Sequence, residues 1–127
     1  MQKIFYFFVV ITFLSTGIAR SQDIAYASVL QGNRITVRDK NNNELSYKYL
    51  SSNETLLGFS TSLIVIQSGG GRVVVYDQRF NGISYKYLNS SDQVKAVNGD
   101  YIILKNSSGR VTIYNKNFSE ISYRYEN

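Results

Sequence analysis

Three sets of side chains able to hold charge recur every 38 positions in this chain: Arg34, Arg72 and Arg110; Tyr47, Tyr85 and Tyr123; Lys48, Lys86 and Arg124. A guanidinium offers a planar fork of donors that fits a carboxylate or phosphate. A tyrosine ring beside a cation suits a sugar or an anionic polymer. The steps Tyr47-Lys48-Tyr49, Tyr85-Lys86-Tyr87 and Tyr123-Arg124-Tyr125 therefore form one candidate set of binding positions, and the arginines another. A packing role competes with each. The tyrosines would fill the space between neighbouring sheets while Lys48, Lys86 and Arg124 reach water along their stems from the other face. Each arginine would close its own repeat. The residue pattern favours packing for both sets, which makes Tyr47, Tyr85 and Tyr123 expected interior residues.

Catalytic chemistry is hard to assemble from what remains. The chain has no His and no Cys, so the commonest general base, the thiol nucleophile and the usual zinc ligands are missing. No Gly-x-Ser-x-Gly elbow activates a serine. The acids nearest to a pattern are Asp39 and Asp77, but the third repeat carries Asn115 at the same place. A catalytic acid would not interchange with Asn, whereas the first position of a type I turn accepts either. The loop from Asp39 places Asn41 and Asn43 at alternate positions like a calcium loop, yet its sixth position is Glu44 and its twelfth is Leu50, where such loops need Gly and Glu. We expect no enzyme activity, no catalytic residue, no metal and no cofactor.

The elements that carry these residues are short strands. Proline is absent, no helical periodicity appears, and apolar runs are bounded by Gly, Asn, Ser or Asp. "SLIVIQ" (62–67) reads as a strand covered on both faces, followed by a glycine turn, "RVVVY" (72–76), the loop "DQRFN" and "GISYKYL". The third repeat matches with "DYIILK", "RVTIY" and "EISYRY", and "TLLGF" and "QVKAV" supply one more strand ahead of each pair. Asn98-Gly99 signals a tight hairpin. A five-residue loop, 77–81, would set Val75 opposite Ile83 and Val73 opposite Tyr85, keeping one face apolar.

Counting strands gives three in the first repeat and four in each of the others, all joined as hairpins. The segment "GDYIILKNSSGRVTIYNKNFSEISY" resembles a blade of the β-propeller superfamily, in which four-stranded antiparallel meanders recur about every 40 residues. The Trp-Asp dipeptide of one propeller group is absent: the rows read "RD" at Arg38, "YD" at Tyr76 and "YN" at Tyr114. No family function therefore transfers to a residue. The expected fold is all-β, an antiparallel meander of three repeats with about 11 strands and a propeller-blade-like form. A β-trefoil is the alternative, since it too has three four-stranded repeats.

Residues 1–20 read as a signal peptide, with Lys3 ahead of an apolar run from Ile4 to Leu14 and small residues at Gly17 and Ala19. The remainder, 21–127, reads as one repeat-built β domain with rows at about 24–54, 55–92 and 93–127. Without Lys3 and Arg20, 12 of the 14 basic residues remain against 9 acidic ones, a net charge near +3 that says little about partners. The absence of cysteine fits a bacterial periplasm or cell surface, and export argues against nucleic acid. No membrane span is expected once the leader is removed. The resulting expectation is a non-enzymatic exported binding or assembly module. Its partner would be itself, as a homodimer or small ring, or an envelope protein; the alternative is a small lectin-like protein with one carbohydrate site per repeat. Open ends would expose Ile35 and Val37 on one side and Val111 and Ile113 on the other.

Overall fold

The computed structural model describes residues 23–30 and 32–126; the expected leader lies outside them. Three antiparallel sheets succeed one another along the chain. The first joins β1 (Tyr26–Leu30), β2 (Arg34–Arg38) and β3 (Glu44–Tyr49); the second joins β4 (Thr55–Phe59), β5 (Ile64–Gln67), β6 (Arg72–Tyr76) and β7 (Gly82–Tyr87). The third joins β8 (Gln93–Asn98), β9 (Tyr101–Lys105), β10 (Arg110–Asn115) and β11 (Glu120–Tyr125). Among the described residues all strand pairing is within a repeat, between sequence neighbours. A trefoil would pair strands of different repeats into one barrel, so the fold is the propeller-blade-like meander. Among the described residues no helix is long and apolar enough to cross a membrane.

Each sheet has a forward face toward the next repeat and a rear face toward the preceding one. Ile35 and Val37 on the forward face of repeat 1 meet Ile64 and Ile66 on the rear face of repeat 2, with Tyr76 and Phe80 packed alongside. Leu63, Val65, Val73 and Val75 on the forward face of repeat 2 meet Ile102 and Leu104 of repeat 3, with Tyr114 and Phe118 alongside. Strand β5 thus feeds two cores at once, which is why its sequence is apolar without alternation. Ile35 and Val37 are fully buried, so the expectation that they line an open end is corrected: period-2 alternation sends them forward, into the first inter-repeat core.

The outer hairpin also departs from the expected register. Its five-residue loop is present, with Tyr76 opposite Gly82, but a bulge then shifts the pairing so that Val75 faces Ser84 and Val73 faces Lys86. The same shift occurs between Val37 and Arg38 and between Ile113 and Tyr114. One inserted residue, Leu45, Ile83 or Ile121, moves every later side chain of the outer strand to the opposite face. Tyr85 consequently lies beside Val74 on the rear face rather than beside Val73.

Candidate functional site

The bulge decides where the tyrosines go. Tyr47, Tyr85 and Tyr123 are 52, 56 and 55% exposed, so they are not interior residues as expected. Each lies on the outer strand under its own repeat's arginine: the guanidinium carbons of Arg34, Arg72 and Arg110 stand 4.2, 4.5 and 4.0 Å from the ring centroids. Each ring also meets the next tyrosine of its step, Tyr49, Tyr87 or Tyr125, edge-on at 5.9–6.1 Å. Arg34 pairs with Glu44 at 3.3 Å and Arg110 with Glu120 at 3.1 Å. Repeat 2 has Gly82 at that acidic position. The arginines therefore act within their own repeats, and the chain displays an outward row of six tyrosines backed by three cations.

The acidic turn residues serve the backbone. Asp39 Oδ1 accepts from the amides of Asn41 and Asn43, each at 2.9 Å, and Asp77 Oδ1 accepts from Arg79 and Asn81 at the same distance. Asn115 Oδ1 accepts from Asn117 and Ser119 at 2.9 and 3.0 Å. The Asn43 amide, against opposing burial, holds the Asp39 carboxyl below its usual range. Partial burial would push the Asp77 carboxyl up, but the Asn81 and Arg79 amides outweigh it and the net shift is downward. A depressed folded-state pKa contributes stability that is present above the unfolded value, about 3.9, and lost as pH falls through the folded value. The double variant D39N/D77N is therefore expected to keep the neutral-pH melting temperature, because Asn115 already fills this role, and to lose less stability than the parent below about pH 4. Thermal melts from pH 7 to pH 2 check this; a large loss at neutral pH would show that the carboxylates do something the amide cannot.

The second set of basic residues is only partly turned to water. Lys48 and Lys86 lie on forward faces, opposite Ile35 and Val73 in the ladder. Their ammonium groups reach across to the next repeat, 5.8 Å from the ring of Tyr76 and 5.4 Å from that of Tyr114. Ser46 and Ser84 donate to the carbonyls of Gln78 and Lys116 across the same junctions, each at 2.5 Å. The receiving knob is an edge-on aromatic pair, Tyr76 with Phe80 and Tyr114 with Phe118, at 5.9 and 5.8 Å. Both phenylalanines hold left-handed backbone, φ +62° and +58°, a conformation that costs a bulky residue about 1–2 kcal/mol. Burial pushes the Tyr76 and Tyr114 hydroxyls up, so both rings stay neutral. These four aromatics and the two serines were missed as functional positions. Their signal was the repeat alignment, in which Tyr76, Tyr114 and Arg38 share a row.

Two faces differ from these internal junctions. On the forward face of repeat 3 the residues matching Val73, Val75, Ser84 and Lys86 are Val111, Ile113, Ser122 and Arg124. Among the described residues no sheet covers that face. A groove of about 490 Å³ opens there, lined by Ala96, Ile103, Val111, Ile113, Ser122 and Arg124. Val111, expected at an open end, is only 3% exposed, whereas Ile113 remains half-buried where Val37 and Val75 are sealed, and Ile121 is 52% exposed. On the rear face of repeat 1 the residues matching Ile64, Ile66, Tyr76 and Phe80 are Tyr26, Ser28, Arg38 and Asn42. Arg38 donates to the Asn42 carbonyl at 3.1 Å and Tyr26 donates to the Asn42 side chain, so polar groups stand where the aromatic knob would be, beside Leu30, which is 48% exposed.

No family model and no curated protein matches this chain. Among solved structures it is similar to BamB from Moraxella catarrhalis, with a TM-score of 0.50 and 12% sequence identity over 84% of this chain and 39% of that one. At that identity the likeness speaks to the propeller-like all-β fold alone, and this chain spans well under half of the BamB chain that it matches.

Proposed function

We propose that this chain is a non-enzymatic exported binding or assembly module, a subunit of an oligomer or envelope complex. The single observation that carries the reading is the uncovered forward face of repeat 3: apolar at its centre, built like the two junctions inside the molecule, and rimmed by charge. A stacked repeat array seals its ends with polar faces when nothing binds there, and contiguous exposed apolar surface marks an interaction site. The rear face of repeat 1 carries Arg38 and Asn42 in place of the aromatic knob, whereas the forward face of repeat 3 keeps every part of the junctions inside the molecule. The likeness to BamB supports blades as the scaffold. Affinity-tagged protein crosslinked in its native envelope, then identified by mass spectrometry, is expected to retain a stoichiometric partner. A folded chain that stays a lone monomer at micromolar concentration, with no crosslinked partner, would sink the reading.

A lectin-like module with one site per repeat is the second reading, favoured by the outward tyrosine row. Exposed rings backed by cations are poor fillers of a core and good platforms for a sugar ring. Tyr85→Ala is expected to cost about 1 kcal/mol or less, the worth of an exposed cation–π contact, and to leave the fold intact by circular dichroism. A glycan array on wild type and this variant decides the matter: sugar binding abolished by Tyr85→Ala would make this the function, whereas an unbound array sets it aside.

A further inference from the structure

We propose that the forward face of repeat 3 is a socket for a β-blade of a different protein, one that presents on its rear face a tyrosine followed four residues later by a second aromatic. The proposal rests on the assembly reading and names the partner's chemistry. The knob-and-socket junction is built twice inside this chain. Each socket comprises two apolar residues of the strand next to the outer one, a serine hydroxyl aimed at the neighbour's turn carbonyl, and a cation over the neighbour's tyrosine. The third socket keeps all four parts in Val111, Ile113, Ser122 and Arg124, and lacks only the knob.

The rim adds a charge requirement. Where the second repeat has Leu57, Gln67 and Leu88, the third has Lys95, Lys105 and Glu126. Glu126 gathers Lys95 at 2.8 Å, Lys105 at 3.7 Å and Arg124 at 2.9 Å. One carboxylate among three cations leaves a positive excess, so the occupant's edge carries Asp or Glu.

A second copy of this chain does not meet these needs. Head-to-tail stacking would bring the rear face of repeat 1 into the socket. That face offers Arg38 where the tyrosine must stand and Asn42 where the second aromatic must stand. The Arg38 guanidinium would meet Arg124 within a desolvated contact, and like charges so placed oppose association. This chain's own first repeat is therefore excluded as the occupant.

A probe made from this protein tests the idea directly. Arg38→Tyr with Asn42→Phe gives the rear face the missing knob, and Ser122→Lys on the same chain blocks its own socket. Asn42 already holds φ +65°, close to the values at Phe80 and Phe118. In sedimentation velocity the wild-type chain alone is expected to remain monomeric, as is the probe alone, while the mixture forms a one-to-one complex. Ser122→Lys or Arg124→Glu in the acceptor should weaken that complex more than about tenfold, or 1.4 kcal/mol. If the double substitution disturbs the probe's melt, Arg38→Tyr with Ser122→Lys carries the same comparison. A folded probe that does not bind wild type overturns the knob requirement. Wild-type self-association abolished by Ser122→Lys overturns the exclusion of a second copy. A native partner crosslinked equally well by the Ser122→Lys chain would overturn the socket while leaving the assembly reading standing.

Discussion

Ile64→Ala is expected to destabilise the protein by about 2–5 kcal/mol, the cost of removing a fully buried aliphatic side chain and leaving a void. Ile64 is 0% exposed and packs with Ile35, Val37, Ile24 and Ile66 between the first two sheets. Among the described residues repeat 1 has three strands, and its buried aliphatics Ile35 and Val37 belong to this one core. In a stack where each unit contacts only its neighbours, the loss is local to that junction. Hydrogen exchange should therefore show β1, β2 and β3 losing protection while β9 and β10, whose core is built on Ile102 and Leu104, keep theirs. Val65→Ala, one residue along the same strand, faces the opposite core and should reverse the pattern. If both variants unfold every strand together, the three sheets behave as one cooperative unit and the stack description fails. Against a total stability of about 5–15 kcal/mol for a domain of this size, either substitution removes a large share.

Gly109→Ala is expected to cost about 3 kcal/mol. Gly109 holds φ +87°, a region where a side chain costs about 1–2 kcal/mol, and an added Cβ would strike the Glu126 carbonyl oxygen. That contact is with backbone, so neither side can rotate away. The Gly109 carbonyl accepts from the Glu126 amide at 2.8 Å, and displacing the chain there loses a hydrogen bond worth about another 1 kcal/mol. Gly99→Ala is the control. Its φ is +57° with no atom within 4 Å of the added carbon, so it should show the dihedral cost alone, about 1–2 kcal/mol. Urea denaturation of both variants measures the difference; equal costs would mean that the strand end moves aside freely. Because Glu126 gathers the three cations at the rim of the repeat 3 face, Gly109→Ala should also weaken partner binding, whereas Gly99→Ala should not.

Much of this architecture was legible in the residues. The 38-residue period, the absence of proline and the glycine- and asparagine-marked turns placed the eight strands of repeats 2 and 3 and led to the count of about eleven, because strand runs and their breakers are local properties. "SLIVIQ" announced a strand covered on both sides, and β5 is one. The turn role of Asp39, Asp77 and Asn115 followed from their interchangeability. What could not be read was the outer-strand bulge. An inserted residue such as Ile83 has no compositional mark, yet with a side-chain period of two it sends everything after it to the other face. That single shift carried Tyr47, Tyr85 and Tyr123 out to solvent and turned Lys48 and Lys86 into the junctions. Sequence alone also placed Arg38, Tyr76 and Tyr114 in one aligned row, and Asn42, Phe80 and Phe118 in another. Only the tertiary structure decided that these rows are the rear-face knobs, because which face a residue presents, and what stands opposite it, depends on register and on the stacking of sheets that are distant along the chain.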